Sequence, residues 1–420
     1  MTCEVAVMNK RGVALAADSA VTLGNGRKIY HTAEKLFSLS PSIPVAIMTF
    51  GAADMMNVPW ETVIKIYAQK LGNRRFDTLE QYAKDFLSFV EGATSLFPAD
   101  DQKTHVSGAV RAVWSNLYRD KLSENLGETS NISADDKQNR SPTKMAHSER
   151  SKPPRLSRTD KLSALAEVVR ADHEIWKKYS DLESMGPDYG ERVVKTYEEV
   201  LENVEQEVFE GMKLPRPVKL DLRKTVGFMY EKEWFHPADE SGVVIAGMGE
   251  SEPFPVLIQY RIGTVAAGKL RYAKADEARV GAAEAVVVPF AQRETIDMII
   301  DGIHPQLRSK LVDDVDRWTP SRCKNGKAKN PEHNEKRKKE FSDYLREEIQ
   351  QRHDQPFMDA VSALPRQDLA KMAEALVNLT AFLMRMSADQ SETVAEPIDV
   401  ALLSKGDGFT WIKHKDLIRP

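Results

Sequence analysis

The first 54 residues are short strand-like runs separated by polar turns, and that spacing leaves room for hairpins rather than crossovers. TCEVAVM stops at Asn9-Lys10-Arg11-Gly12, and GVALAAD follows. Leu23-Gly24-Asn25-Gly26 makes a second turn, and Lys35–Leu39 and Pro44–Met48 supply two more strands. Small and branched apolar residues bounded by Gly, Asn and Pro are the signature of such strands. A sheet of this kind buries its faces only against other layers. Residues 55–95 supply candidates for one layer. Trp60, Val63, Ile64 and Tyr67 recur at helical spacing, as do Leu79, Tyr82, Ala83, Phe86 and Leu87.

Residues 96–235 are different material. A helix is expected over 103–125, with Val106, Val110, Val113 and Leu117 on one stripe. Long charged helices are expected over 162–182 and 190–211. Between them, residues 127–160 are rich in Ser, Asn, Asp, Lys and Pro and cannot build a core, so they read as a mobile loop. The strand pattern returns at Val243–Gly247 and Val256–Ile262. A helix starts at Thr295. The chain closes with a helix over 368–386 and two strands around Lys405-Gly406-Asp407-Gly408, a strong hairpin turn. The expected organisation is a discontinuous sheet domain, 1–95 and 236–420, interrupted by a mainly helical insertion at 96–235.

The chain has 420 residues and a formal charge of -4, which speaks against nonspecific nucleic-acid binding. The basic stretch 321–340 reads as a solvated linker leading into a charged helix. Its two cysteines, Cys3 and Cys323, cannot form a disulfide framework or a four-cysteine zinc site. With no signal peptide and no apolar run of about 18 residues, the expected compartment is the cytoplasm, with no membrane contact. No metal motif and no phosphate-cradling loop occurs, so no cofactor is expected.

The chemistry concentrates at the amino terminus. Thr2 is small enough for removal of Met1, which would leave a free α-amine beside a hydroxyl. An α-amine with a pKa near ~7.7–8.0 can serve as base for its own hydroxyl. With the hairpin turn centred on Lys10, Thr2 falls opposite Asp18 on one face. Asp18 ends an apolar strand, where a carboxylate needs a partner, and Lys35 opens the next strand. An Asp18–Lys35 pair beside Thr2 would favour the alkoxide.

Thr2, Gly12–Ser19, Thr22 and Glu34–Phe37 resemble proteasome β subunits and the bacterial ATP-dependent ring peptidase, both amino-terminal nucleophile (Ntn) hydrolases. Gly51-Ala52-Ala53-Asp54, Gly242–Gly247 and Glu396–Leu403 are similar to later parts of the same family. The resemblance implies an α+β fold, a four-layer α/β/β/α sandwich, here carrying a large helical insertion. It implies a threonine peptidase or other amide hydrolase with Thr2, Asp18 and Lys35 as catalytic residues. It places the oxyanion donor within Thr49–Gly51, with Gly51 as the supporting residue, and Met48 and Val21 on an apolar specificity pocket. Asp389 and Ser391 are its candidates for a late supporting Asp and Ser. No serine occupies Val288–Glu294, where the family has its serine-bearing turn, so that supporting hydroxyl is either absent or replaced by Gln292. Two functional readings follow: an active amide hydrolase, or an inactive assembly or regulatory subunit. A homo-oligomer and a regulatory partner engaging 96–235 are the expected associations. Cys3 reads as a packing residue, since its own amine is in a peptide bond.

Overall fold

The computed structural model describes residues 3–23, 28–30, 33–121, 158–236, 239–315, 331–386 and 397–415. Two compact units emerge. One comprises 1–90, 240–261 and 274–420, the other 91–239 and 262–273.

In the first unit, β1 (Cys3–Asn9) and β2 (Gly12–Ala17) form the leading hairpin. β3 (Val21–Leu23) and β4 (Lys28–Tyr30) form a small ribbon, and β5 (Leu36–Ser38) and β6 (Val45–Gly51) pair antiparallel. Two short strands, β7 (Asp54–Met55) and β8 (Val58–Pro59), lead into the helix Trp60–Leu71. β9 (Ser241–Gly247), β10 (Val256–Ala266), β11 (Lys269–Arg279) and β12 (Ala285–Ala291) come after the second unit's helices. β13 (Asp399–Ser404) and β14 (Gly408–Lys413) end the chain's ladder. Five strands join in the order β12-β1-β2-β13-β14, and five more in the order β11-β10-β9-β6-β5.

Every residue of β1 is buried, because both of its faces are covered. Cys3, Val5 and Val7 pack with Leu369, Ala373 and Val377 of the helix Arg366–Met386. The alternate residues Ala6 and Met8 pack with Ala46, Met48, Val244 and Ala246 of the second sheet. β2 repeats this with Ala14 and Ala16 toward the helix and Val13 and Leu15 toward the other sheet. A strand buried on both faces reads as a continuous apolar run, which is why GVALAA shows no polar alternation. Among the buried residues, Trp60 also donates Nε1–H to Ser241 Oγ at 2.8 Å.

The leading hairpin turns one half-residue later than the sequence suggests. Asn9 pairs with Gly12, leaving Lys10 and Arg11 as a two-residue turn. The Asn9 side chain sets it, since its Oδ1 accepts the Arg11 N–H at 2.9 Å. That shift moves every register pair by one.

In the second unit, the helices Ala99–Asn116, Arg158–Trp176, Tyr189–Thr196, Glu198–Val208 and Arg216–Glu231 share one apolar core around Trp114, Tyr189, Phe209 and Leu222. The single helix expected over 190–211 is two helices, broken at Tyr197, whose hydroxyl accepts the Ala267 N–H at 2.8 Å. Gly190 and Gly227 let two of these helices touch: a Cβ on Gly190 would lie 2.7 Å from the Gly227 carbonyl oxygen. Buried Arg271 donates to the carbonyls of Tyr230, Lys232 and Trp234, capping the end of Arg216–Glu231. Most of the loop expected at 127–160 lies outside the described residues. So does 316–330, while the charged helix after it spans Pro331–Ile349.

Candidate active site

Asp18 stands at the end of β2, where its backbone still follows the ladder. Its N–H donates to the Cys3 carbonyl at 3.2 Å, and its Oδ1 accepts the Cys3 N–H at 3.0 Å. The position opposite Asp18 is therefore Cys3, and the expected Thr2–Asp18 pairing is corrected by one residue, for the turn geometry given above. Asp18 Oδ2 accepts the Ala20 N–H at 3.0 Å, so two backbone donors hold the carboxylate before any side chain does. Lys35 supplies the third donor: its Nζ lies 2.7 Å from Asp18 Oδ1. Backbone pairing fixes Lys35 itself, because its carbonyl accepts the Thr49 N–H at 2.9 Å. The structure thus brings Asp18 and Lys35 together, both buried.

A third charged group joins them. Glu4 Oε1 lies 3.3 Å from Lys35 Nζ, and the Glu4 side chain is fully buried. Sequence reasoning passed over it. The available signal was a lone carboxylate inside the otherwise apolar run of β1, an expensive placement unless something charged meets it.

The described strands also order the oxyanion candidates. Ala52 N–H donates to Glu240 O across the β6–β9 ladder at 3.0 Å. Antiparallel ladders alternate bonded and non-bonded pairs, so Phe50 faces β9 and Gly51 faces the other side. Thr49 N–H is already used by Lys35. Gly51 N–H is left aimed along the β5 side, one step beyond Lys35. Gly51 has φ +83, and a Cβ there would lie 2.8 Å from Glu240 O, so glycine is required.

A second buried lysine braces the two segments that carry Asp18 and Lys35. Lys415 Nζ lies 3.1 Å from Asp399 Oδ2 and 3.2 Å from Ser19 Oγ, and it donates to the Ala33 carbonyl. Asp399 Oδ1 also accepts the Lys415 N–H at 2.9 Å and faces His414 Nδ1 at 3.2 Å. Ser19 Oγ in turn donates to Pro397 O at 2.6 Å. Asp399 lay inside an apolar run and was legible for the same reason as Glu4. Lys415, near the end of the chain, carried no signal. Replacing Lys415 with methionine should destabilise the protein by about 2 kcal/mol, because Asp399 keeps its backbone donor but loses its buried cation. Urea unfolding of the two proteins measures this.

Thr2, Asp389 and Ser391 lie outside the described residues. Met48 is wholly inside the core between the sheets. The stretch Val288–Ala291 belongs to β12, with Ala291 opposite Cys3, and Gln292 follows directly. Cys3 is buried against the helix Arg366–Met386. Burial pushes its thiol far above the ordinary range, and the Glu4 and Asp18 charges add to that, against weaker relief from Thr380 and Lys35. Cys3 should therefore escape iodoacetamide at pH 8 in the folded protein and react only after unfolding, as peptide mapping would read. Among the described residues, no group of three His, Cys, Asp or Glu is placed to hold a metal ion.

No family model and no curated protein matches the sequence. Solved structures do resemble it. The Gly-1 mutant of Anbu from Hyphomicrobium sp. strain MC1 matches with a TM-score of 0.30 at 10% identity, over 99% of this chain and 86% of that chain. Anbu from the same strain matches at 0.28 and 9%, over 98% and 86%. Anbu (ancestral beta-subunit) from Yersinia bercovieri matches at 0.28 and 10%, over 99% and 88%. The chain is similar to these proteins at low identity.

Proposed function

We propose that the chain is an N-terminal threonine amidohydrolase of the proteasome-like kind, acting on peptides or other amides. Thr2 is the nucleophile and its α-amine the base. Lys35 supplies positive charge beside Thr2, Asp18 orients Lys35, and Gly51 N–H receives the oxyanion. The observation that carries this reading is the buried Asp18–Lys35 pair at 2.7 Å, set at the start of the chain by the ladder and by Thr49. A pair of this kind has a structural role available to it, but the strand end beside the chain terminus is where an amino-terminal nucleophile needs it. In the same reading, the two facing sheets with the helix Arg366–Met386 on one side and Trp60–Leu71 on the other form the α/β/β/α sandwich. The second unit is the insertion that recruits a partner or shapes a homo-oligomer, and the protein works in the cytoplasm. Among the described residues no helix is long and apolar enough to cross a membrane.

A second reading has specific support: an inactive assembly or regulatory subunit on the same scaffold. Glu4 sets a second buried carboxylate against Lys35, and no serine occupies Val288–Glu294. Intact mass followed by labelling with a peptide epoxyketone decides between them. Loss of Met1 with an adduct on Thr2 supports the hydrolase. A retained Met1, or no adduct on a processed chain, supports the inactive subunit.

A further inference from the structure

Among the described residues, Lys35 is the one cation that meets two fully buried carboxylates, and only one of them has a task in the hydrolase reading. Asp18 is already held by the N–H groups of Cys3 and Ala20. Glu4 is different. It sits in the middle of an antiparallel triplet, opposite Ala17 on one side and Phe290 on the other, and its side chain points to the face shared with Ala6 and Met8. Its Oε1 reaches Lys35 Nζ at 3.3 Å, with the Glu4 side chain fully buried and that of Lys35 nearly so. A buried charge in such a place is costly and persists only where it is compensated.

Glu4 and Asp18 thus share the Lys35 ammonium, at 3.3 and 2.7 Å, beside the strand end that follows residue 2. A threonine alkoxide and the oxyanion of a tetrahedral intermediate are both negative, and an anionic surrounding opposes both.

We propose that Glu4 is a charge-setting residue that damps this site, drawing on the Lys35 ammonium that would otherwise serve the nucleophile. The proposal rests on the reading of Thr2 as nucleophile. It makes Glu4 the residue that holds the chain at low reactivity, and it makes that restraint removable by one isosteric change. Glu4→Gln keeps the shape and one acceptor oxygen for Lys35 while deleting the charge. Lys35 then keeps Asp18 as its sole ionic partner of the two.

The test uses the full chain with loss of Met1 verified by mass. Labelling rates with a peptide β-lactone are measured from pH 6 to 9 for the parent, Glu4→Gln and Glu4→Met, each with and without Thr2→Ala. Both Glu4 variants should label about tenfold faster than the parent, the factor that corresponds to about one pKa unit of relieved charge opposition at the nucleophile. The gain should vanish with Thr2→Ala. A role in packing alone gives no reason for the isosteric Glu4→Gln and the apolar Glu4→Met to raise the rate alike. Thr2-dependent labelling that is equal or slower in both Glu4 variants overturns the damping and leaves the hydrolase reading in place. Silence of the parent with Thr2-dependent labelling of Glu4→Gln supports the damping in its strongest form. Silence of all Thr2-bearing forms, or labelling that survives Thr2→Ala, retires the hydrolase reading and the damping with it.

Discussion

Thr2→Ala should abolish covalent labelling by an epoxyketone or β-lactone, with a loss of at least about a thousandfold, while the protein still folds. The size follows from the mechanism: an amino-terminal nucleophile has no substitute once its hydroxyl is gone, and removal of a nucleophile collapses the whole catalytic unit. The structural cost should be small, about 1 kcal/mol or less, because one hydroxyl and one methyl group near a chain end are lost. Thr2→Ser should retain labelling, since hydroxyl and amine are both kept. The chain must first be shown by mass to begin at residue 2, because a retained Met1 blocks the amine and imitates the alanine variant. If Thr2→Ala labels at the parent's rate with the adduct elsewhere, the nucleophile has been misassigned.

Lys35→Met should be the most destabilising single change at the site, at about 3–5 kcal/mol, because it strips a shared cation from two buried carboxylates at once. Asp18→Asn should cost less, since its one amide oxygen can still accept one of the Cys3 and Ala20 N–H groups and Lys35 keeps Glu4 as an ionic partner. The asymmetry has a direct check. In a cycle of Lys35→Met and Glu4→Gln, the double variant should be more stable than the sum of the single effects by about 1–3 kcal/mol. Denaturant unfolding of the four proteins gives the number. Additivity within about 0.5 kcal/mol would mean that Glu4 and Lys35 do not act as a pair.

Much of the site was legible before any coordinates. The apolar run ending in Asp18 and the strand opening at Lys35 demanded a partner for each charge, and they meet at 2.7 Å. The hairpins around Asn9–Gly12 and Lys405–Gly408 were legible from turn chemistry, as was the helix ending at Met386 from its apolar period. The register was not. A turn centred on Lys10 and one centred between Lys10 and Arg11 have the same composition, and the Asn9 side-chain bond that selects the second is a matter of rotamer and loop geometry. The break at Tyr197 was equally hidden, because nothing local separates one amphipathic helix from two when the deciding contact is a hydroxyl reaching Ala267.

The sequence by itself determined which residues could do chemistry: the order of strands and turns, the hydroxyl-bearing Thr2 directly after Met1, and the few charges set into apolar runs. Those are local properties, written in residue type and spacing. The tertiary structure alone decided which further charges join the Asp18–Lys35 pair and brace it. Glu4 and Lys35 are separated by most of two hairpins, and Lys415 reaches Ser19 and Ala33 from the far end of the chain. It alone also decided that Gly51, and not Phe50, turns its N–H toward the Lys35 side, because that direction is set by the pairing of β6 with β9 and β5. Partnership across a sheet depends on the register and on side chains converging in three dimensions, and neither is encoded at fixed spacing along the chain.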